Sequence, residues 1–429
     1  MLVYHAVFLA LVAGTTAFFA VLAALNVRYA ERAVRERADW LAETIGVDDP
    51  DELLDYHRLG TAASQLESVV VLGVVLLVLY SGLFGDGVAA VYDTVGSDLL
   101  AGVALFVGAT VGMQLLSLPF DAFDTFAVEE AFGFNEQSPA LFARDKMVST
   151  AVAAVFVAVL GAGVLYTVEA FPNWWWLAAT GVVVAFLLAT QILVPRVVMP
   201  LFYDFDPVEN SDLRDAVEDV FERAGFACDQ VYVMNASSRS GHSNAFFTGF
   251  GRTKRVVLFD TLVEQMDETE VQSVLAHELA HWKKGHIWQN VAASALQAGI
   301  LLFLAQFLVE SAWLYEMFAV PERAAAGLLL AGLWLQPLSQ LTAPIQNKLW
   351  LANEREADAF AVDVMGGGDA LAGALADLTS ENLGNPFPHP YYEAFHYQHP
   401  PVPERIRYLT EGDGTELESE AGGPGDAAV

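Results

Sequence analysis

The chain has 429 residues, of which 55% are hydrophobic and 17% charged. That apolar content excludes a disordered chain, which lacks the side chains needed to offset its ordering entropy. A formal charge of −32 repels phosphate backbones and argues against a nucleic-acid partner. Cys228 is the single cysteine, so no intramolecular disulfide is available and the residue reads as a small packed side chain. The basic residues are 16 Arg and 5 Lys against 53 Asp and Glu, and this acid-rich, Lys-poor balance reads as a surface hydrated in strong brine, that is, halophilic.

In chain order, seven stretches of 18 or more residues carry no charge: 6–27, 68–85, 99–120, 147–168, 170–195, 287–309 and 324–347. Each is long enough to cross about 30 Å of hydrocarbon as a helix. The first lacks a basic leader and a small-residue cleavage site, so it is expected to span rather than to act as a signal peptide. The second is short and is interrupted by Gly73, Gly82 and Gly85. The bilayer is thus an expected partner. With the N-terminus outside, the segments 28–67, 121–146, 196–286 and 348–429 fall inside and hold 20 of the 21 basic residues, Arg323 being the exception. The positive-inside rule then places the active site and the C-terminus on the cytoplasmic side.

Five regions follow: 1–195, helices one to five with cytoplasmic loops; 196–286, a first globular part; 287–347, helices six and seven; 348–410, a second globular part; and 411–429, an acidic, Gly-rich, solvated tail. Within the first globular part the pattern predicts a helix at 211–225, strands at 230–234 and 255–259 flanking a polar loop, and a helix from about 268. The fold class is mainly α, a polytopic membrane protein whose globular part carries a small β-sheet.

The chemistry begins at VLAHELAHWKKGH, residues 274–286. His277 and His281 are four apart, which on a helix brings both imidazoles to one face, as two ligands of one tetrahedral Zn²⁺ require. Glu278 is the carboxylate that acts as general base in an HExxH helix. On a continuous helix His286 would sit about 140° around from His281, and it reads as structural or capping. The third ligand is sought in NEREADAFAVD, residues 353–363, where Glu354, Glu356 and Asp363 compete by type. Asp358, one turn after Glu354, could accept a hydrogen bond from a ligand imidazole and fix its tautomer.

With these motifs in place, the sequence resembles the type 1 CAAX prenyl proteases, integral-membrane zinc endopeptidases with gluzincin active sites. The similarity covers most of residues 1–410. It rests on LPFDAFDTFAVEEAFGFNEQ (118–137), RSGHSNAFFTGF (239–250), KRVVLFDTLV (254–263), VLAHELAHWKKGH (274–286), Glu354 to Asp358, and HYQHPPVPERI (396–406). The resemblance selects Glu354 over Glu356 as third ligand, implying one Zn²⁺ per chain on His277, His281 and Glu354. It further implies seven helices around a water-filled chamber with the zinc on its inner wall.

Physics and resemblance together assign the remaining motifs. Ala245, Phe246 and Phe247 would form an edge strand that binds an extended substrate, with His242 and Asn244 facing that peptide. His399 and Arg405 would donate hydrogen bonds to the oxyanion. Glu129 and Glu130 are expected to be structural. Where the family usually carries Ser-Arg before the glutamate ligand, this chain has Trp350-Leu351. The expected activity is hydrolysis of peptide bonds in a peptide or protein substrate, with CAAX-type processing of a prenylated C-terminus foremost. The alternatives are an HtpX-like quality-control protease and, from another class, a seven-helix carrier or receptor with structural zinc.

Overall fold

A computed structural model describes residues 1–208, 211–226, 231–248 and 255–411; Cys228 and nearly all of the acidic tail lie outside these. Among the described residues, seven helices are long and apolar enough to cross a membrane: Leu2–Glu36, Pro50–Tyr80, Asp98–Glu129, Pro139–Ala170, Trp175–Leu201, His286–Val309 and Ala324–Leu341. Their number matches the uncharged stretches, but their ends differ for identifiable reasons. The second helix starts at Pro50, where the Asp49 side chain accepts from the N–H groups of Asp51 and Glu52. It stops at Ser81, because Gly82 turns the chain at φ +86°. The fifth begins only at Trp175, since Pro172 cannot continue the preceding helix. The seventh ends at Leu341, and Pro344 opens a separate helix, Ala343–Met365.

Residues 28–67 are not the loop that their charge suggested. Most of them continue the first two membrane helices, held together by Arg58, which pairs with Glu31 and Asp55 at 2.7 Å each, and by Arg35 with Asp51 at 2.8 Å. Such exposed pairs add only about 0–1 kcal/mol each. The larger contribution comes from Val34, Leu41, Leu53 and Leu54, which are fully buried in the main core with Val217, Leu258, Leu275 and Ile406; each such side chain contributes about 1.5–3 kcal/mol by burial. The globular part therefore draws its core from 33–54 as well as from 196–286 and 348–410.

Strands β1 (Phe205–Pro207), β2 (Val231–Met234), β3 (Ala245–Thr248) and β4 (Arg255–Phe259) form one mixed sheet in the order β1-β2-β4-β3. The β2–β4 pair is parallel and the other two are antiparallel. Val256 and Leu258 enter the main core, while Val257 packs with Met234 on the opposite face. This two-sided burial accounts for the unbroken apolar run of β4. Among the described residues β3 lies at the sheet edge and pairs only with β4, with Ala245 opposite Leu258 and Phe247 opposite Val256.

Among the first, second, third and seventh membrane helices lies a cavity of about 710 Å³ whose lining includes Thr15, Thr16, Gln65, Ser68, Gln336 and Gln340. Polar side chains within a bundle are tolerated where they face such a space.

Candidate metal centre

The helix Glu268–Lys283 is opened by a capping box. Asp267 accepts from the N–H groups of Thr269 and Glu270, and Glu270 accepts in return from the Asp267 N–H at 2.9 Å. Val271, Val274, Leu275 and Leu279 bury one face in the main core. The helix Ala343–Met365 packs against it, and the fully buried Ala276, Ala280, Ala357 and Ala361 have side chains small enough for close approach.

Across this contact His277, His281 and Glu354 converge. The Nε2 atoms of the two histidines are 3.3 Å apart, and they lie 3.3 Å and 3.2 Å from the two carboxylate oxygens of Glu354. Bonds of about 2.0–2.1 Å in a tetrahedral zinc site space neighbouring ligands about 3.3 Å apart, so the triangle fits the ion in size, donor type and number. The electrostatics agree. Burial works to raise the Glu354 pKa, but hydrogen bonds from His277, His281 and His399 hold the carboxyl far below its usual range. Burial likewise works to depress His277, yet Asp358 and Glu354 raise it to about 9. A cluster that favours a proton on a fully buried imidazole would equally favour a cation among its donors.

Each donor has a partner behind it. His277 Nδ1 meets Asp358 Oδ1 at 2.8 Å, and Arg405 donates to Asp358 from Nε at 2.9 Å and from an Nη at 2.6 Å. The same Nη lies 3.4 Å from His277 Nδ1. Arg405, expected as an oxyanion donor, is thus buried behind His277, with Nε and one Nη donating to Asp358. Burial works to raise the Asp358 pKa, but the hydrogen bonds from His277 and Arg405 hold it below its usual range. His399 is differently placed, with Nδ1 2.6 Å from Glu354 Oε2 and a side chain 63% exposed. Behind His281, Nδ1 faces Nδ1 of His286 at 2.9 Å, and His286 Nε2 lies 3.1 Å from Glu356.

Glu278 is half-buried, and among the described residues its carboxylate makes no hydrogen bond or ion pair. It therefore keeps its acceptor capacity for water or substrate. Glu356 is a partner of His286 and Lys284 rather than a member of the triangle, and Asp363 is exposed. The edge strand packs against the HExxH helix. Ala245 is buried and Asn244 exposed, with the Asn244 carboxamide oxygen accepting from the Ala245 N–H at 2.8 Å; Phe246 packs near Phe259.

His242, expected to face a peptide, is engaged within the fold. Its Nδ1 is 3.0 Å from Asn382 and its Nε2 is 3.2 Å from Glu129, while the ring stacks on Phe134 with centroids 4.3 Å apart. Tyr56 donates to Glu129 at 2.8 Å, so His242 joins the second and third membrane helices to the turn that precedes β3. At the Trp350-Leu351 departure, the Trp350 indole N–H donates to Asn290 at 2.9 Å, tying the Glu354 helix to the sixth membrane helix.

Sequence reasoning missed the support given by His286. The 140° argument assumed one continuous helix, whereas the helix ends at Lys283 and Gly285 turns the chain at φ +77° before His286 starts the next. The glycine between Lys284 and His286 was the available signal.

Residues 207–412 match peptidase family M48, and residues 28–204 match the CAAX prenyl protease N-terminal region of five membrane helices. A CAAX prenyl protease 1 homolog of Oryza sativa subsp. japonica is 33% identical over 321 residues, 74% of this chain and 75% of the relative. CAAX prenyl protease 1 of Saccharomyces cerevisiae is 32% identical over 69% of each chain. Among solved structures, the crystal structure of S. mikatae Ste24p superposes with a TM-score of 0.83 at 25% identity, covering 94% of this chain and 97% of that one.

Proposed function

The chain belongs to the CAAX prenyl protease 1 family of M48 peptidases, and from this premise we propose how its residues divide the work of a membrane-embedded zinc metalloprotease that processes prenylated proteins. The observation that carries this reading is the donor triangle of His277, His281 and Glu354 with an unengaged Glu278 beside it. One Zn²⁺ per chain would be held there, supplying Lewis-acid polarisation of a carbonyl and acidification of water.

Glu278 takes the proton of the attacking water and delivers it to the leaving amine. His399, whose Nδ1–H donates to Glu354, offers Nε2–H to the oxyanion in its doubly protonated form. Arg405 and Asp358 set the His277 ring. The outer edge of β3 offers main-chain groups to an extended peptide, and His242 holds the turn before it in place. Trp350, through Asn290, takes over part of the support that the family gives to Ser-Arg. The favoured substrate carries a prenyl group on a cysteine near its C-terminus, and that group partitions among the membrane helices, each buried CH₂ contributing about 0.8 kcal/mol. Seven spans put the two termini on opposite faces. The distribution of Lys and Arg supports an outside N-terminus with the site and C-terminus in the cytoplasm.

The test compares matched peptides with and without the prenyl group, using wild type, Glu278→Gln and chelator-treated protein in detergent. Faster cleavage of the prenylated peptide, abolished by both treatments, supports the reading. Equal rates would favour quality control of membrane proteins, and no cleavage of either peptide by zinc-loaded protein would sink the assignment.

A further inference from the structure

The two histidines of the triangle are backed by different chemistry. His277 leans on a buried carboxylate, Asp358, which Arg405 neutralises. His281 leans on an imidazole. The His281 Nδ1 to His286 Nδ1 contact of 2.9 Å joins two atoms that cannot both carry a hydrogen in a hydrogen bond, so one ring donates and the other accepts. The surroundings decide the direction. Glu356 lies 3.1 Å from His286 Nε2 and accepts a hydrogen there, leaving His286 Nδ1 as the bare nitrogen. Lys284 pairs with the other oxygen of Glu356 at 2.9 Å and keeps that carboxylate in place. The chain therefore runs His281 Nδ1–H to His286 Nδ1, then His286 Nε2–H to Glu356.

We propose that His286 is a positioning residue for the metal centre: an imidazole, oriented by Glu356, that accepts from His281 Nδ1–H and fixes His281 in the tautomer whose bare Nε2 faces the triangle. The proposal rests on the reading of His277, His281 and Glu354 as the metal site. Two further observations bear on it. His286 is 1% exposed, so its own side of the contact with His281 is closed to water. It is also placed by a backbone feature, the left-handed turn at Gly285 that ends one helix and starts the next. Unlike Asp358, this partner adds no negative charge next to the ring. The two histidines thus differ in what stands behind them, a carboxylate for His277 and an imidazole for His281.

Chelator competition on the purified full chain measures zinc affinity directly, independently of activity, with thermal unfolding as a check on folding. His286→Asn keeps an acceptor near the position of Nδ1, whereas His286→Leu has none. The expected result is an affinity about 10–100-fold lower for His286→Leu, with His286→Asn recovering most of the loss and Glu356→Gln showing a smaller one. Wild-type affinity in a folded His286→Leu protein overturns the proposal. So does an equal loss in His286→Asn and His286→Leu, which would indicate a packing role. Wild type that binds no zinc overturns the metal-site reading and this inference with it, whereas zinc-binding wild type with an indifferent His286 overturns the inference alone.

Discussion

The Arg405 guanidinium grips Asp358 through two hydrogen bonds of 2.9 Å and 2.6 Å, immediately behind the His277 ring. Both side chains are buried, and breaking such a pair from one side costs about 3–5 kcal/mol. Arg405→Ala should therefore unfold at lower temperature. Arg405→Lys, which keeps the charge but loses the fork, should bind zinc about 10-fold more weakly with near-normal turnover per bound zinc. An oxyanion donor would give the reverse, with zinc kept and turnover down by about 10²–10³. Metal titration alongside kcat separates the two.

Glu278→Gln should retain zinc and lose peptidase activity by at least about 10²–10⁴-fold, since an amide cannot take the proton from water. Metal analysis and a peptide assay on the same sample check this, and activity within about tenfold of wild type would remove Glu278 from the mechanism.

His399→Ala should lower kcat by about 10²–10³ while zinc affinity falls far less, because its Nδ1 contact orients Glu354 but supplies no donor to the triangle. A loss of zinc as large as that of His281→Ala would make His399 a structural support only.

The Glu129 hydrogen bond outweighs burial, Asn382 adds to it, and the His242 pKa is raised above its ordinary 6.5. A raised folded-state pKa contributes stability that is fully present below the unfolded value and is lost as pH rises through the folded one. The difference in unfolding temperature between wild type and His242→Gln should thus be greatest at about pH 5.5 and shrink as pH climbs past the raised value. A difference that grows with pH would contradict the charged pairing.

Much of this architecture is legible in the residues, and the exceptions share a cause. Uncharged runs gave seven spans because a helix in hydrocarbon must be apolar along its length. They misplaced the second span because charge marks where hydrocarbon ends, not where a helix ends. Arg35, Asp51 and Arg58 lie on helices that continue beyond the apolar stretch. His277 and His281 were readable by helical spacing, since two ligands on one helix must share a face, and Glu354 was readable only through the family resemblance. The partners of Arg405, His242 and His286 were not legible, because each is distant in sequence or lies across a helix break, which local spacing does not encode.

The HExxH helix runs into the sixth span with only Lys284 and Gly285 between, and the seventh span runs into the Glu354 helix across Thr342. The donor triangle is in effect a clasp closed between two lever arms whose far ends lie in lipid. A bilayer thicker or thinner than these arms tilts them, and a tilt of either one changes the spacing of the 3.2 and 3.3 Å contacts at the clasp. Reconstitution in lipids of graded acyl length should accordingly give an optimum in both turnover and zinc retention, making membrane thickness itself a regulator of this peptidase.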